Sequence, residues 1–117
     1  MSVLRILVAD DHDVVRRGMK ALLEDQPGWE VCAEANTGRL AVEKVRQLKP
    51  DVAVLDVTMP ELNGLEAARQ ILKLPHPPEV LILTMHDSDQ IAQEVIKAGA
   101  RGYILKSDAA QIGRAHV

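Results

Sequence analysis

Five short apolar runs set the strongest limit on how this chain can fold: Val3–Ala9, Trp29–Ala33, Val52–Leu55, Val80–Leu83 and Gly102–Leu105. They are rich in Val, Ile and Leu, and the first, third and fourth are nearly continuous rather than alternating. Strands that are buried on both faces have this pattern, because neither face of such a strand meets water. The runs therefore predict the strands of a sheet that is covered on both sides.

The segments between these runs have the period of amphipathic helices. In the first segment the apolar side consists of Val14, Val15, Met19, Leu22 and Leu23, and the opposite polar side of Arg16, Arg17, Lys20 and Glu24. Three more stripes follow, namely Leu40, Ala41, Val45 and Leu48, then Leu65, Ala68, Ile71 and Leu72, and last Ile91, Ala92, Val95 and Ile96. Gly99 follows the last stripe and suits a left-handed cap. This alternation predicts right-handed βαβ units and an open parallel α/β sheet.

Composition narrows the class of protein. A chain of 117 residues with 47% apolar residues predicts one domain with a real core. The net charge of −3 offers no basic surface for nucleic acid. The single cysteine excludes a disulfide within the chain and a cysteine-based zinc site. With no signal peptide pattern and no membrane-spanning apolar run, the sequence predicts a cytoplasmic protein.

Polar side chains stand where four of the predicted strands end. Asp10 and Asp11 follow the first strand, Asp56 the third, Thr84 the fourth and Lys106 the fifth. In open parallel sheets, ligands bind outside the carboxyl ends of the strands. Each of these residues alone is more often a turn former, a helix cap or a solvated side chain. Their occurrence at four strand ends together predicts one site.

The residue types at this site indicate phosphoryl chemistry. Adjacent carboxylates repel one another unless a cation lies among them, and carboxylate oxygens suit Mg²⁺. With the cation present, Asp56 can stay ionised as a nucleophile toward phosphorus. Lys106 would neutralise charge on the transferring group, and the hydroxyl of Thr84 would hydrogen-bond a phosphoryl oxygen.

Four sequence blocks resemble those of response regulator receiver domains, the phospho-accepting half of two-component signalling: "VADDHD", "VLDVTMPELNG", "LILTMHD" and "ARGYILKSD". The phrases "DDHD", "VRRGMKALLE" and "LTMHD" are similar to the NarL/FixJ (LuxR-type) subclass. The resemblance covers roughly Val3 to Asp108. It implies a doubly wound, flavodoxin-like sheet of five strands in the order 2-1-3-4-5 with helices on both faces. We expect a single receiver domain over residues 1–112.

The resemblance also implies the roles of individual residues in the metal site. Asp56 would be phosphorylated, with a sensor histidine kinase or a small phosphodonor supplying the phosphoryl group. Asp11 would bind Mg²⁺ directly, and Asp10 largely through water. Asp56 itself and the backbone carbonyl of Thr58 would complete the protein ligands. The domain would be a signalling switch rather than an enzyme with a separate substrate, catalysing only its own phosphorylation and dephosphorylation.

Three further residues match the family's switch. Thr84 and Lys106 correspond to its switch hydroxyl and phosphate-pairing lysine, and Tyr103 falls where the family has a rotating aromatic ring. Many receivers have proline after the lysine, whereas Ser107 follows it here, and the subclass also commonly lacks that proline. The output expected for this subclass is transcription, through a helix-turn-helix DNA-binding domain that would follow the receiver.

Two other functions are compatible with a parallel sheet and these acids. A magnesium-dependent hydrolase of the haloacid dehalogenase kind also uses Asp, but its nucleophile belongs to an Asp-x-Asp pair on the first strand. Here Asp10 and Asp11 are consecutive residues after the first strand, and the predicted nucleophile Asp56 ends the third strand. A degenerate receiver used only for docking is the other alternative, and the presence of every site residue argues against it.

Several nearby residues have simpler interpretations. His12 and His86 are expected to be exposed loop residues, because a magnesium site does not use imidazole. Asp13 is favoured at a helix start by the helix dipole. Cys32 is expected to be a small core residue. Gly64 would let the backbone pass closely over the site.

The end of the chain departs from the pattern. A last helix from Ser107 would have only Ala109 and Ile112 as apolar contacts, so we expect it to be short or truncated. Residues 113–117 resemble a cloning remnant or the truncated start of a linker. Because a short last helix leaves the first and fifth strands partly uncovered, we expect two copies to associate or to exchange a terminal element.

Overall fold

The computed structural model describes residues 3–85 and 88–106. Its strands are β1 (Leu4–Ala9), β2 (Trp29–Ala35), β3 (Val52–Asp56), β4 (Glu79–Thr84) and β5 (Gly102–Leu105). Its helices are α1 (Asp13–Glu24), α2 (Gly38–Leu48), α3 (Gly64–Leu72) and α4 (Asp89–Ala98). The five strands are parallel and lie in the order β2-β1-β3-β4-β5, which confirms the predicted topology. The predicted short last helix, the domain boundary at residue 112 and His86 lie outside the described residues.

The sheet separates two apolar clusters, as the continuous apolar runs require. One cluster joins the sheet to α2, α3 and α4, and it includes Ala53 and Leu55 of β3. The other joins it to α1 and includes Val54, the residue between those two. Because successive side chains of a strand point to opposite faces, β3 contributes to both clusters. The prediction of helices on both faces is confirmed.

The apolar side of α1 is shorter than its sequence period suggests. Met19 and Leu23 are buried, but Val14 is 85% exposed and Val15 is 37% exposed. The first turn of α1 contributes no residue to the cluster beneath the helix. The predicted helical period is therefore correct, but the predicted length of the buried side is too long. The same holds at α4, where Val95 is buried and its neighbour Ile96 is 73% exposed.

A glycine and a helix cap shape the loop that follows β3. Asn63 accepts a hydrogen bond from the backbone N–H of Glu66 at 2.9 Å and so caps α3. A β-carbon on Gly64 would stand 2.0 Å from the backbone oxygen of Asp56. The N–H of Gly64 also donates to the carbonyl of Val57 at 2.9 Å. Only glycine therefore allows this close approach, as the sequence predicted.

Within the described residues, no helix is long and apolar enough to cross a membrane.

Candidate functional site

Three polar side chains are buried where three neighbouring strands end. Asp10 follows β1, Asp56 ends β3 and Thr84 ends β4, and their exposures are 0%, 3% and 2%. The strand order places β3 between β1 and β4, so these ends are adjacent. The predicted grouping of strand ends is therefore present in the fold.

Lys106, directly after β5, brings an ammonium group to the two buried acids. Its Nζ lies 3.0 Å from Asp10 Oδ2 and 3.1 Å from Asp56 Oδ2, and its side chain is only 9% exposed. Neither carboxylate oxygen receives a well-directed hydrogen bond from the described residues. The contact is therefore an ion pair of two anions with one cation, and it leaves the cluster with an excess of negative charge.

Burial and charge shift the pKa values of this cluster. Burial raises the pKa of the Asp56 carboxyl, and the nearby charge of Asp10 adds to the rise, whereas Lys106 opposes it. Burial alone would lower the pKa of Lys106, but its close contacts with the negative carboxylates of Asp10 and Asp56 outweigh this, and its pKa is raised. The ionised form of Asp56 thus needs more positive charge than Lys106 supplies.

A group of possible metal ligands surrounds Asp56. Asp10, Asp11, His12 and Asp56 each offer one ligand atom, and these atoms all lie within 4.8 Å of one another. Three of the four are carboxylate oxygens, the donors that hard divalent cations prefer. The oxygens of Asp10 and Asp56 that lack a well-directed hydrogen bond add to the fit. The described residues can therefore hold a divalent cation at this edge of the sheet.

His12 is exposed as expected, but it makes contacts that the sequence did not indicate. Its side chain is 63% exposed, and its Nδ1 lies 3.2 Å from Asp10 Oδ1 and 3.3 Å from Asp11 Oδ1. Its backbone N–H donates to Asp10 Oδ1 at 2.9 Å. The loop after β1 thus folds back on the acidic pair.

A cavity of about 240 Å³ opens beside Asp56, and it has room for a phosphoryl group. Three other predicted site residues, Thr58, Thr84 and Lys106, line it. Other lining residues are His12, Val57, Met85 and Ile91. Tyr103 is not among the lining residues: it is half-buried and packs against the cluster under α2, α3 and α4.

Arg16 makes contacts beside this site that the sequence interpretation missed. The helical period assigned it to the solvated side of its helix, but its side chain is only 12% exposed. It donates to the backbone oxygen of Asp10 at 2.8 Å, to Asp13 Oδ1 at 2.7 Å and to Glu34 Oε1 at 3.1 Å. Asp13 begins α1, as predicted. Helical spacing indicates the contact of Arg16 with Asp13, which lies three residues earlier. It does not indicate the contact with Glu34, which lies on β2.

Comparison with known proteins assigns the family. The model of the response regulator receiver domain matches residues 6–116, and the chain therefore belongs to this family. Among curated proteins, the transcriptional regulatory protein DegU of Brevibacillus brevis is 40% identical over 103 residues, which are 88% of this chain and 44% of DegU. The chain spans about half the length of the curated relatives it matches.

Solved structures agree with this assignment. The signal receiver domain of the response regulator NarL from Mycobacterium tuberculosis is 32% identical, with a TM-score of 0.90 over 99% of this chain and 94% of that one. A two-component response regulator of the LuxR family from Aurantimonas sp. SI85-9A1 is 40% identical, with a TM-score of 0.88 over 98% of this chain and 83% of that one. The resemblance to the NarL and LuxR group is confirmed. Family membership also favours the receiver over a haloacid dehalogenase-type hydrolase.

Proposed function

We propose that this receiver domain is a signalling switch in which Asp56 accepts a phosphoryl group from a sensor histidine kinase or a small phosphodonor. The observation that carries the proposal is the position of Asp56: it is 3% exposed, borders a cavity and lies 3.1 Å from the ammonium of Lys106. A buried carboxylate among other acids is costly unless it binds something. Phosphoryl transfer with a divalent cation accounts for every charged group in this cluster.

In the proposed step, a carboxylate oxygen of Asp56 forms a bond to phosphorus. The bond from phosphorus to the donor breaks, and its electron pair leaves with the donor, an imidazole nitrogen or a carboxylate. Lys106 pairs with an oxygen of the transferred group and reduces the charge that develops there. The backbone N–H of Thr58 hydrogen-bonds Asp56 and helps to orient it.

The proposed cofactor is Mg²⁺, which would neutralise the acids and the phosphoryl oxygens when bound. Asp11 and Asp56 would hold it directly, Asp10 largely through water, and the backbone carbonyl of Thr58 would complete the protein ligands. The cluster of carboxylate oxygens within 4.8 Å supports this choice, because Mg²⁺ takes oxygen donors and keeps several waters.

We propose that Thr84 and Tyr103 carry the signal away from the site. A phosphoryl group adds a charge of about −1.5 to −2, which Lys106 can pair and the Thr84 hydroxyl can hydrogen-bond. Thr84 and Tyr103 lie on the neighbouring strands β4 and β5, and Tyr103 is opposite Ile82 in the register. Inward movement of the loop after Thr84 would favour a buried position of the Tyr103 ring over an exposed one, as a shift between two existing states.

The proposed output is control of transcription through a helix-turn-helix DNA-binding domain. The name of DegU, a transcriptional regulatory protein, supports this, and DegU is more than twice the length of the matched region. A cytoplasmic location belongs to the same proposal, because a sensor kinase presents its phosphohistidine there. Self-association of two copies is the remaining proposal about partners.

Intact mass measurement after incubation with acetyl phosphate and MgCl₂ tests the phosphorylation. The wild-type protein should gain the mass of one phosphoryl group, and Asp56→Asn should gain none. Asp51→Asn is the matched control, because Asp51 is an exposed aspartate at the other end of β3, and it should react as the wild type does. Labelling that survives Asp56→Asn would refute the assignment of Asp56. Repeated turnover of p-nitrophenyl phosphate would instead indicate a hydrolase.

Amide NMR spectra recorded before and after phosphorylation test the switch. We expect shifts in the loop after Asp56 and also around Thr84 and Tyr103. Thr84 lines the same cavity as Asp56, and its strand β4 pairs with β5, which contains Tyr103. Shifts that are confined to the Asp56 loop would show that the signal does not reach β5.

A further inference from the structure

Arg16 joins three separate parts of the chain next to the cation site. Its three guanidinium nitrogens donate to the backbone oxygen of Asp10 in the loop after β1, to Asp13 in the first turn of α1, and to Glu34 on β2. We propose that Arg16 is a positioning residue for the divalent cation: it fixes the backbone of the acidic pair, without itself binding the ion. This inference rests on the proposed function, because the acidic pair is the proposed cation site.

The peptide groups around Asp10 are held on both sides. The N–H of Asp10 donates to the backbone oxygen of Ala35 at 3.0 Å, and its carbonyl oxygen accepts from Arg16 at 2.8 Å. Ala35 and Glu34 are consecutive residues at the end of β2. Both contacts therefore tie Asp10, directly or through Arg16, to the edge strand. These two hydrogen bonds fix the backbone of Asp10 and therefore restrict where the next residue, Asp11, can lie.

The guanidinium is itself held in place. Glu34 accepts from Arg16 Nε at 3.1 Å, its other carboxylate oxygen lies 3.8 Å from Lys20 Nζ, and its backbone oxygen accepts from Lys44. The pKa of Arg16 is raised, because hydrogen bonds and charges of Asp13 and Glu34 outweigh the effect of burial. A side chain restrained at three nitrogen atoms has little freedom to leave the Asp10 carbonyl.

This restraint matters because Mg²⁺ tolerates little variation in its ligand geometry. A shift of the loop after β1 moves Asp10 and Asp11 relative to Asp56, which belongs to the separate strand β3. Arginine suits the task, because its planar fork can serve three acceptors at fixed angles, whereas lysine offers a single ammonium group. Its charge beside the acidic pair also offsets part of the repulsion there. Substitutions of Arg16 that keep or remove its charge can separate the effect of its hydrogen-bond geometry from the effect of its charge.

Calorimetric titration with MgCl₂ tests the inference, with Arg16→Met, Arg16→Lys and the matched control Arg17→Met. Arg17 is the next residue and is exposed, so Arg17→Met removes the same charge without the contacts. Loss of an outer residue that orients metal ligands weakens binding by about 10- to 100-fold, and we expect this for Arg16→Met. Arg17→Met should stay within about twofold of the wild type, as expected for a surface charge. Arg16→Lys should lie between them, because it keeps the charge and loses the fork.

A second measurement separates positioning from simple stabilisation. Urea unfolding without Mg²⁺ reports the stability of each variant. If Arg16→Met is less stable but binds Mg²⁺ as tightly as the wild type, Arg16 is only structural and the inference is overturned. If Arg16→Met does not fold, Glu34→Gln takes its place: it keeps Arg16 but weakens the contact that holds it. It should weaken Mg²⁺ binding in the same direction, and unchanged binding would overturn the inference.

The result also distinguishes this inference from the proposed function. If the wild type binds no Mg²⁺ and takes no phosphoryl group, the proposed function fails, and the inference fails with it. If the wild type does both, and Arg16→Met binds Mg²⁺ like Arg17→Met, only the positioning role fails.

Discussion

The two ends of the sheet use charged residues in opposite ways. At the carboxyl ends of the strands, Asp10, Asp56 and Lys106 are nearly inaccessible and depend on one another for compensation. At the amino ends, charged groups stay in contact with water. Glu79 and Arg101 form a pair 3.8 Å apart in which the side chains are 62% and 74% exposed. The same five strands thus carry a buried cluster at one end and solvated charges at the other.

This difference shows which charges serve the fold. Asp51, at the amino end, accepts the backbone N–H of Arg5 at 2.9 Å and so completes hydrogen bonding between strand starts. Such an exposed contact stabilises modestly and costs little desolvation. Burying charge is expensive, and a cluster with more anions than cations gains nothing for the fold alone. The acids at the carboxyl ends are therefore best explained by what they bind.

Removing one lysine or arginine at each end should give the largest contrast. Lys106→Met leaves Asp10 and Asp56 buried without their cation, and breaking a buried pair costs about 3–5 kcal/mol. Arg101→Met removes an exposed pair and should cost less than about 1 kcal/mol. Urea unfolding of both variants at neutral pH measures the difference. Equal losses would show that the cluster is as solvated as the amino-end pair.

Glycine-to-alanine substitutions at the two ends should also differ, in size and in cause. At Gly64 the new β-carbon would lie 2.0 Å from the backbone oxygen of Asp56, and such overpacking should cost about 3 kcal/mol. Gly28, at the amino end, has nothing within 4 Å but has φ of +81°. Gly28→Ala should therefore cost only about 1–2 kcal/mol, from backbone strain.

Thermal unfolding tests this pair, with Gly18→Ala as the control. Gly18 lies inside α1, with open space around it, and alanine there should stabilise by about 0.5–1 kcal/mol. If Gly64→Ala is no worse than Gly28→Ala, the loop over the site can move away from Asp56.

The positions of the acids at the carboxyl ends were predictable because they depend on local patterns. An apolar run identifies a buried strand, and the residue that ends it must reach the edge of the sheet. From the sequence, this reasoning predicts that Asp10, Asp56, Thr84 and Lys106 lie together. In the structure, Lys106 contacts Asp10 and Asp56, and Thr84 lines the same cavity as Asp56 and Lys106. The strand order came from the family resemblance, and the sheet confirms it.

Other contacts could not be predicted because they depend on how far one element lies from another. Arg16 and Glu34 are 18 residues apart and meet only because α1 packs beside β2. The period of α1 likewise says which residues share a side, but not where the helix extends past the core, so the exposure of Val14 was missed. The packing of α1 against the sheet, rather than the local sequence pattern, determines both the Arg16–Glu34 contact and the exposure of Val14.

Magnesium should stabilise the protein through the carboxyl end alone. A ligand that binds only the native state at 100 times its Kd raises the free energy of unfolding by about 2.7 kcal/mol. We expect a higher melting temperature in millimolar MgCl₂, with a smaller rise in Asp11→Asn and an unchanged rise in Asp51→Asn. Trp29, at the amino end, should report little of this by fluorescence. A melting temperature independent of Mg²⁺ would contradict the cation site.

Asp56→Asn should have the smallest effect, a stabilisation of the metal-free protein at neutral pH. Burial raises the pKa of Asp56 in the folded state above its ordinary value of 3.8, so the folded protein holds this proton more tightly than the unfolded chain. For such a group, the stabilisation is present below the unfolded pKa and is lost as pH rises through the folded pKa. At neutral pH the wild type thus carries an ionised carboxylate that folding disfavours, and the neutral amide removes that penalty.

The pH dependence of this difference makes the test specific. Asp56→Asn should be more stable than the wild type at neutral pH, because burial raises the pKa of the Asp56 carboxyl and the amide carries no charge to bury. The difference should shrink toward zero as pH falls below about 4, where the wild-type carboxyl is protonated in both states. Asp51→Asn, at the exposed end, should stay within about 0.5 kcal/mol of the wild type throughout. If Asp56→Asn is instead less stable at neutral pH, Lys106 more than offsets the burial of Asp56, and the carboxyl end stabilises the fold as the amino end does.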